Sequence, residues 1–319
     1  MTELLDDPEQ ESKSRIFHFA WYGLLFLLTF VIFFLFTFPY GVLKEALVSE
    51  ISQATGYSLR VKEMGPSFLL GADAAGIRIS SPDNAVQVEM ESVDVTLSVL
   101  SLFIGRATVD VELVSKNKGL LDLKTSWTLW QLLKERNFVP SRISLEAKDF
   151  ELGGLVNLLL YNTSKTANDM IKDLLTQIVF QGNLTGVSDI KLAIDEPIQS
   201  TGTIELKIDK ATLDLTNPNL VVARQTFKKA LVKANLQGGK LNLDSASGLE
   251  SQEMKIDLKG NSTLRNPFAN SILEMIINLK LEGTLKDNFG FILSVMGGNE
   301  GELKYQINGT FERPNFQGG

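Results

Sequence analysis

The sequence predicts a mainly β protein, in which a single N-terminal transmembrane helix precedes an elongated, curved antiparallel β-sheet body with a few short helices. Three observations lead to this fold class. One long uncharged apolar run lies near the N-terminus, apolar and polar residues alternate through most of the remaining chain, and glycine and asparagine punctuate the alternating segments. With 319 residues, the chain is long enough to bury a sizeable core.

The apolar run extends from Ile16 to Phe38 and carries no formal charge. At about 1.5 Å per residue, a helix of this length spans roughly 30 Å of hydrocarbon. A cleaved signal peptide has a shorter apolar stretch and a small-residue cleavage site, so we predict an uncleaved anchor over 16–40. The predicted anchor residues, several of them aromatic and suited to the membrane interfaces, are Trp21, Tyr22, Leu25, Phe30, Phe34, Pro39 and Tyr40.

The basic residues that flank this run predict its orientation. Lys13 and Arg15 precede it, whereas Lys44 is the basic residue close behind it. This small excess favours a cytoplasmic tail over 1–15 and a translocated body over 41–319. No second apolar run of comparable length follows, so the chain is predicted to cross the membrane once.

Helices are predicted at a few places in the body. An amphipathic helix over 41–55 has Leu43, Leu47 and Ile51 on one face and stops at Gly56. Short helical segments are predicted over 127–136 and 226–234, and a longer helical insertion over about 154–180 is divided near 162–164. We interpret the insertion as a cover over the sheet or a plug at its end. Contact with a membrane or a partner is the alternative.

Strands are predicted wherever the apolar period is two, which leaves one face of a sheet apolar and the other polar. Clear alternation occurs over 86–90, 93–99, 109–113, 204–208, 254–258, 275–281 and 303–307. Turns between hairpin strands are predicted at Gly238-Gly239, Gly260-Asn261, Gly297-Gly298 and Asn308-Gly309. Because antiparallel sheets favour such hairpins, the body is predicted to be one long antiparallel sheet.

The apolar face of this sheet is the candidate binding site. An exposed apolar surface larger than a few hundred Å² is normally covered by a core, a partner or a ligand. The residues predicted to line a possible apolar groove on this face are Val95, Leu97, Ile204, Leu206, Ile208, Ile256, Leu258, Ile277 and Leu279.

Composition argues against several classes of function. The formal net charge of −7 disfavours nucleic acid as a partner. The chain has no cysteine, and its one histidine, His18, lies in the apolar run, so the body offers neither a thiolate nor an imidazole for catalysis or metal binding. Common nucleophile, phosphate-loop and zinc motifs do not occur. We therefore predict no enzymatic activity, no catalytic, cofactor-binding or metal-binding residues, and no cofactor.

The stretch from Thr37 to Ser80 carries a family resemblance. It reads TFPYGVLKEALVSEISQATGYSLRVKEMGPSFLLGADAAGIRIS, with an anchor ending in Phe-Pro-Tyr, a Leu-Lys-Glu helix, a Gly-Tyr turn and a Pro-Ser-Phe step. This order resembles protein N of the bacterial type II secretion system, a family similar to the broader AsmA-like superfamily. The C-terminal INGTFERPNF is similar to the closing strand of those proteins.

The resemblance implies a protein of the bacterial inner membrane, with a cytoplasmic N-terminus and a periplasmic body shaped as an AsmA-like groove or a twisted β-roll. It implies an accessory component of the type II secretion machinery, with a structural or interaction role and other envelope or secretion-system proteins as partners. The alternative is an AsmA-like lipid-transfer or outer-membrane homeostasis protein whose groove carries lipid acyl chains.

Overall fold

The structure, a computed structural model, describes residues 21–318 with internal gaps. The gaps are 24, 27–28, 31–32, 34–36, 68–69, 136–137, 166–171, 173–174, 217–221, 296 and 300. Much of the predicted anchor, including Phe34, therefore lies outside the described residues. Within the described part of the chain, no helix combines the length and the apolar character needed to span a membrane.

The body begins with helix α1 (Tyr40–Thr55), which confirms the helix predicted over 41–55. Gly56 ends the helix in the left-handed conformation, and its amide donates to the carbonyl of Ser52 at 2.9 Å. The apolar stripe of α1 is not buried against the sheet, since Leu47 and Ile51 remain 42% and 41% exposed.

A single antiparallel sheet contains all the strands of the described chain, so the predicted mainly β class is confirmed. The first eight strands are β1 (Ser58–Ser67), β2 (Gly71–Ser80), β3 (Gln87–Leu97), β4 (Arg106–Ser115), β5 (Leu120–Thr128), β6 (Arg142–Glu151), β7 (Ile178–Lys191) and β8 (Thr201–Leu215). The remaining strands are β9 (Gln225–Thr226), β10 (Lys229–Gln237), β11 (Lys240–Leu243), β12 (Gly248–Glu250), β13 (Met254–Thr263), β14 (Ile272–Leu281), β15 (Glu302–Thr310) and β16 (Pro314–Gly318).

Strand order in the sheet follows chain order. The path runs from β1 to β8, then through β10, β11, β13, β14 and β15 to β16. The short strand β9 pairs with β8, and β12 pairs with both β10 and β13, so β11 and β12 act as two parts of one interrupted strand. Fourteen successive positions at about 4.8 Å each give a sheet roughly 60–65 Å across.

Successive turns alternate between two margins of the sheet. We call the margin that carries the β2–β3, β4–β5, β6–β7 and β14–β15 connections the upper margin, and the opposite one the lower margin. Helices α3 (Gly153–Ser164) and α4 (Gly283–Val295) belong to the upper margin. The short helix α2 (Val99–Phe103) and a π-helical turn (Gln131–Glu135) belong to the lower margin, and 3-10 turns follow at Pro197–Gln199 and Phe268–Asn270.

Bulges interrupt several strands on the upper side of the sheet. The register shifts between Met90 and Ser92 in β3, and this shift explains why the alternation over 86–90 and 93–99 changes phase within one strand. A second shift lies in β6, between Ala147 and Phe150, and a third has its extra residue in β8, between Asp209 and Thr212, opposite Gln181–Asn183 of β7. Because a bulge bends the strand that carries it, we expect the sheet to bend locally at these positions.

Several local predictions were wrong. The segment 226–234 is strand rather than helix, and Trp127 belongs to β5, so the helical turn there is confined to about 129–135. The insertion 154–180 is helical in α3 and near 175–177, but Ile178–Phe180 begin β7.

The turn predictions were correct in part. Gly238-Gly239 does form a turn, whereas Gly260-Asn261 and Asn308-Gly309 lie inside β13 and β15. Gly297-Gly298 follows α4, a helix that the sequence analysis missed.

Candidate functional site

Cross-strand register places one apolar row across the middle of the sheet. Val95 lies opposite Val111, Val111 opposite Leu123, and Leu123 opposite Leu145. The row, which we call the middle row, consists of Val95, Val111, Leu123, Leu145, Ser188, Ile204, Ala234 and Leu243. Directly opposed residues project from the same face, so these eight strands share one apolar face.

All nine residues predicted to line the groove lie on this apolar face. Leu97 and Val95 are two residues apart on β3, and the three predicted residues of β8 alternate with Glu205 and Lys207. On the far side, Ile256 lies opposite Leu279 and Leu258 opposite Ile277. Every register-paired position of this face in the described strands is uncharged, so the face offers apolar surface without an ionic group.

The opposite face is polar and carries the charges. A ladder of polar residues crosses it at one level: Thr96, Asp110, Lys124, Ser144, Asp189, Thr203, Asn235, Asn242 and Asn261. Arg142 binds Asp189 through two hydrogen bonds of 2.8 and 2.9 Å, and these bonds hold the pKa of Asp189 below its ordinary value. This arrangement identifies the polar face as the solvated one, because the ion pairs are largely exposed.

Helix α3 packs on the apolar face at the upper margin and contacts two strands that are far apart in the sheet. A Cβ atom on Gly154 would lie 3.3 Å from the Val88 side chain on β3, and one on Gly153 would lie 2.9 Å from the carbonyl oxygen of Phe180 on β7. In a flat sheet, strands four positions apart are about 19 Å from each other. Adjacent residues of one helix reach both strands only if the apolar face is concave at this level.

Side-chain contacts fix α3 in this position. Asn157 accepts the amide hydrogen bond of Phe180 at 2.8 Å and donates to the Phe180 carbonyl at 3.1 Å. Leu155 and Leu158 pack against the buried residues Ile77, Val88 and Met90. The insertion therefore covers one end of the sheet, as predicted for its first half.

Helix α4 covers the same margin further along the sheet. Leu285, Phe289 and Leu293 are buried at successive turns of the helix and pack against Leu281 of β14 and Leu303 of β15. The buried clusters of the described chain thus lie where α3 and α4 meet the sheet.

Helices α3 and α4 do not cover the middle row. None of its members belongs to the clusters under α3 and α4. Val95 is 40% exposed, and Val111, Leu123, Leu145, Ile204 and Leu243 are half-buried, whereas Ser188 and Ala234 are buried, at 8% and 5% exposure. The other predicted groove residues are half-buried as well, and two of them, Ile208 and Leu279, pack against the clusters beneath α3 and α4. The centre of the apolar face is therefore partly accessible to a ligand or to solvent, most of all at Val95.

A second apolar surface, at the lower margin, was not predicted from the sequence. Seven large side chains on three connections are between 60% and 80% exposed. They form what we call the lower rim, which consists of Leu100, Phe103, Ile104, Trp130, Leu133, Phe138 and Ile198. Leu100, Phe103 and Ile104 have helical spacing, as do Trp130 and Leu133, but no sequence pattern relates one connection to another. The sheet topology brings the three connections to one margin.

The described residues of the predicted anchor are helical and largely exposed. Trp21, Tyr22, Leu25 and Phe30 have exposures between 53% and 67%, and the rings of Phe38 and Tyr40 contact each other edge to face after the helix. Pro39 precedes α1.

Comparisons with family models, with curated proteins and with solved structures find no match to this chain. The resemblance to the secretion family therefore stays a prediction.

Proposed function

We propose that this chain is a membrane-anchored lipid-binding protein, whose apolar face forms a groove that holds acyl chains for lipid transfer or envelope homeostasis. One observation carries this proposal: the middle row is uncharged, crosses eight strands and lies outside the clusters beneath α3 and α4, with six of its eight members exposed or half-buried. Acyl chains need apolar contact and no polar partner, which is what such a face provides.

The concave region beneath α3 supports the same proposal. A curved sheet surrounds a chain-like ligand on more than one side and so removes more of it from water than a flat sheet would. Helices α3 and α4 cover the upper margin, and an acyl chain would enter from the β3 to β6 part of the lower side, since Leu236 at the lower end of β10 is only 3% exposed.

Location is part of the proposal. The uncharged run Ile16–Phe38 would anchor the chain in the bacterial inner membrane, and the basic residues before it would keep the N-terminus cytoplasmic. The sheet would then lie in the periplasm, where lipids must cross an aqueous space. We propose binding rather than catalysis, because the body contains neither histidine nor cysteine.

Site-specific photo-crosslinking in cells tests the groove. A crosslinker at Ile204, Leu206 or Ile208 should capture lipid, whereas one at Glu205 or Lys207 should not. These control positions belong to the same strand and project from the opposite face. Equal lipid capture from both faces, or protein capture alone from the apolar face, would contradict the proposal.

A role in type II secretion is the second candidate, favoured by the motif order over Thr37–Ser80. In that case a partner protein would cover the apolar face. Deletion of the gene should then leave folded exoproteins in the periplasm, and unchanged secretion would contradict this role.

A further inference from the structure

We infer that the lower rim inserts into the surface of a lipid bilayer and holds the open side of the apolar face against it. The inference rests on the proposed function in one respect, namely that lipid would move between the bilayer and the apolar face. The contact between the rim and lipid rests on separate observations at the lower margin.

The first observation is the density of exposed apolar side chains. Leu100 and Phe103 are 80% and 79% exposed, and Leu133 and Phe138 are 78% and 75% exposed. The three connections that carry the rim alternate with strands, so neighbouring tips stand about 10 Å apart along the margin. Large apolar side chains grouped in this way mark an interaction surface rather than scattered surface residues.

The second observation is that hydrogen bonds hold these connections in place. The Trp127 indole donates to the carbonyl of Phe138 at 2.8 Å, and the amide of Leu129 donates to the carbonyl of Gly105 at 2.9 Å. The Ser101 hydroxyl donates to the carbonyl of Ser98 at 2.7 Å. The apolar side chains are therefore presented outward by an ordered backbone and do not fold back onto the sheet.

The third observation concerns the chemistry of the rim. The ammonium of Lys134 lies 3.8 Å from the centre of the Trp130 ring. Tryptophan beside a long basic side chain is typical of membrane interfaces, where the ring contacts the acyl boundary and the charge stays in water. The rim residues lie on three separate connections, an arrangement that suits a fluid lipid surface better than a rigid protein partner.

Net charge adds little to the attraction between the lower rim and a lipid bilayer. The connections 98–105, 129–141 and 192–200 together contain two basic and three acidic residues. Binding should therefore depend on apolar insertion and change little with salt or with the fraction of anionic lipid.

The rim also continues the apolar face. Leu97 of β3 immediately precedes the first rim connection, and Ile190 of β7 lies just before the third. Both project from the apolar face, since Leu97 pairs with Val109, and Ile190 pairs with Ile143. An acyl chain that leaves the bilayer at the rim would reach this face without crossing a charged side chain.

Single-cysteine fluorescence on the full chain reconstituted in vesicles tests the inference. The natural sequence has no cysteine, so one introduced at Leu100, Leu133 or Ile198 can be labelled uniquely with an environment-sensitive dye. Controls are Asn235→Cys and Lys207→Cys, both on the polar face. We expect a blue shift and quenching by brominated acyl chains at the three rim positions and neither change at the controls.

Dilution of the protein in lipid separates a bilayer contact from self-association. If the blue shift at the rim positions disappears on dilution, the rim contacts a second copy of the chain instead of lipid. If the dye emission at all three positions stays at its wavelength in water, the rim does not insert. A signal that requires anionic lipid at low salt would also contradict apolar insertion.

A further probe at Val95→Cys distinguishes this inference from the proposed function. Quenching by brominated lipid at Val95 alone would support the groove and overturn the rim contact. Quenching at the rim alone would support the contact and count against lipid in the groove.

Discussion

The carboxylate of Glu253 fixes the start of helix α4 by accepting a hydrogen bond from the hydroxyl of Thr284 at 2.7 Å. The same oxygen also accepts the amide hydrogen bond of Leu285 at 3.3 Å. One side chain from the segment before β13 thus satisfies donors at the N-terminal end of the helix, where amide groups lack partners within the helix. Leu285, which follows Thr284, is 1% exposed in the cluster beneath α4.

We predict that Glu253→Ala loosens α4 without unfolding the sheet. The loss of the acceptor should raise amide hydrogen exchange over Gly283–Val295 and leave exchange in β3 to β7 unchanged. Glu253→Gln, which keeps an oxygen acceptor, should have a smaller effect. Unchanged exchange in α4 of the alanine variant would show that the apolar contacts alone hold the helix.

We predict that the contribution of the Glu253 carboxylate disappears in acid. The hydrogen bond from Thr284 lowers the pKa of Glu253 from its ordinary value of 4.5 in the folded protein. The stabilisation is therefore complete above that ordinary value and is lost as pH falls through the lower, folded-state pKa. Urea midpoints of the natural protein and Glu253→Gln, measured against pH, should differ near neutrality and converge in acid. A constant difference would contradict this assignment.

We predict that Phe150→Ala lowers the free energy of unfolding by about 3–5 kcal/mol, because the ring is buried and its removal leaves a cavity. Phe150 is 1% exposed. Phe103→Ala on the lower rim is the matched control, since Phe103 is 79% exposed, and we expect a change within about 0.5 kcal/mol. Urea denaturation of both variants provides the test. Comparable losses would show that the rim is part of the core.

We predict that Gly260→Ala is strongly destabilising. A Cβ atom there would lie 2.1 Å from the carbonyl oxygen of Glu274 on β14, and the residue has a φ of +132°. Backbone strain at residue 260 and the separation of β13 from β14 should together lower the free energy of unfolding by about 3 kcal/mol or more. In Gly65→Ala the new methyl meets no atom within 4 Å, so thermal unfolding should be nearly unchanged in that control. A tolerated Gly260→Ala would mean that β13 and β14 are more loosely paired.

We predict that Val95→Lys is tolerated by the fold, with a change in the free energy of unfolding below about 1.5 kcal/mol, because the position is partly solvated and the ammonium can reach water. Leu285→Lys is the contrasting variant and should prevent stable packing of α4. Thermal unfolding of the two variants checks whether the middle row is open. Severe destabilisation by Val95→Lys would indicate a covered face.

Alternation predicted six of the sixteen described strands and the apolar face that they share. Val95, Ile204 and Ile277 lie on strands far apart in the chain, yet the structure places them on one face of one sheet. The prediction of the apolar face was possible because the sheet is solvated on one side. In such a sheet, the alternation of apolar and polar residues along a strand specifies the face on which each residue lies. The bulge between Met90 and Ser92 explains the only change of phase within β3.

Helices were harder to predict because tertiary contacts decide them. The segment 226–234 has basic residues at helical spacing, but Ala230, Val232 and Ala234 alternate, and pairing with β8 makes it a strand. Helix α4 was missed because Gly283 and Gly290 resemble turn residues, although Leu285, Phe289 and Leu293 repeat every four residues. The exposure of the lower rim depends on which connections share a margin, and this information is not contained in any local pattern.

The agreement between strand order and chain order has a kinetic consequence. Nearly every strand of this sheet pairs with one that is close to it in sequence, so few contacts require the closure of a long loop. Folding can therefore spread hairpin by hairpin from any point along the chain, as in repeat proteins whose units contact only their neighbours. A destabilising substitution near one end of the sheet should then unfold the neighbouring strands and leave distant strands folded.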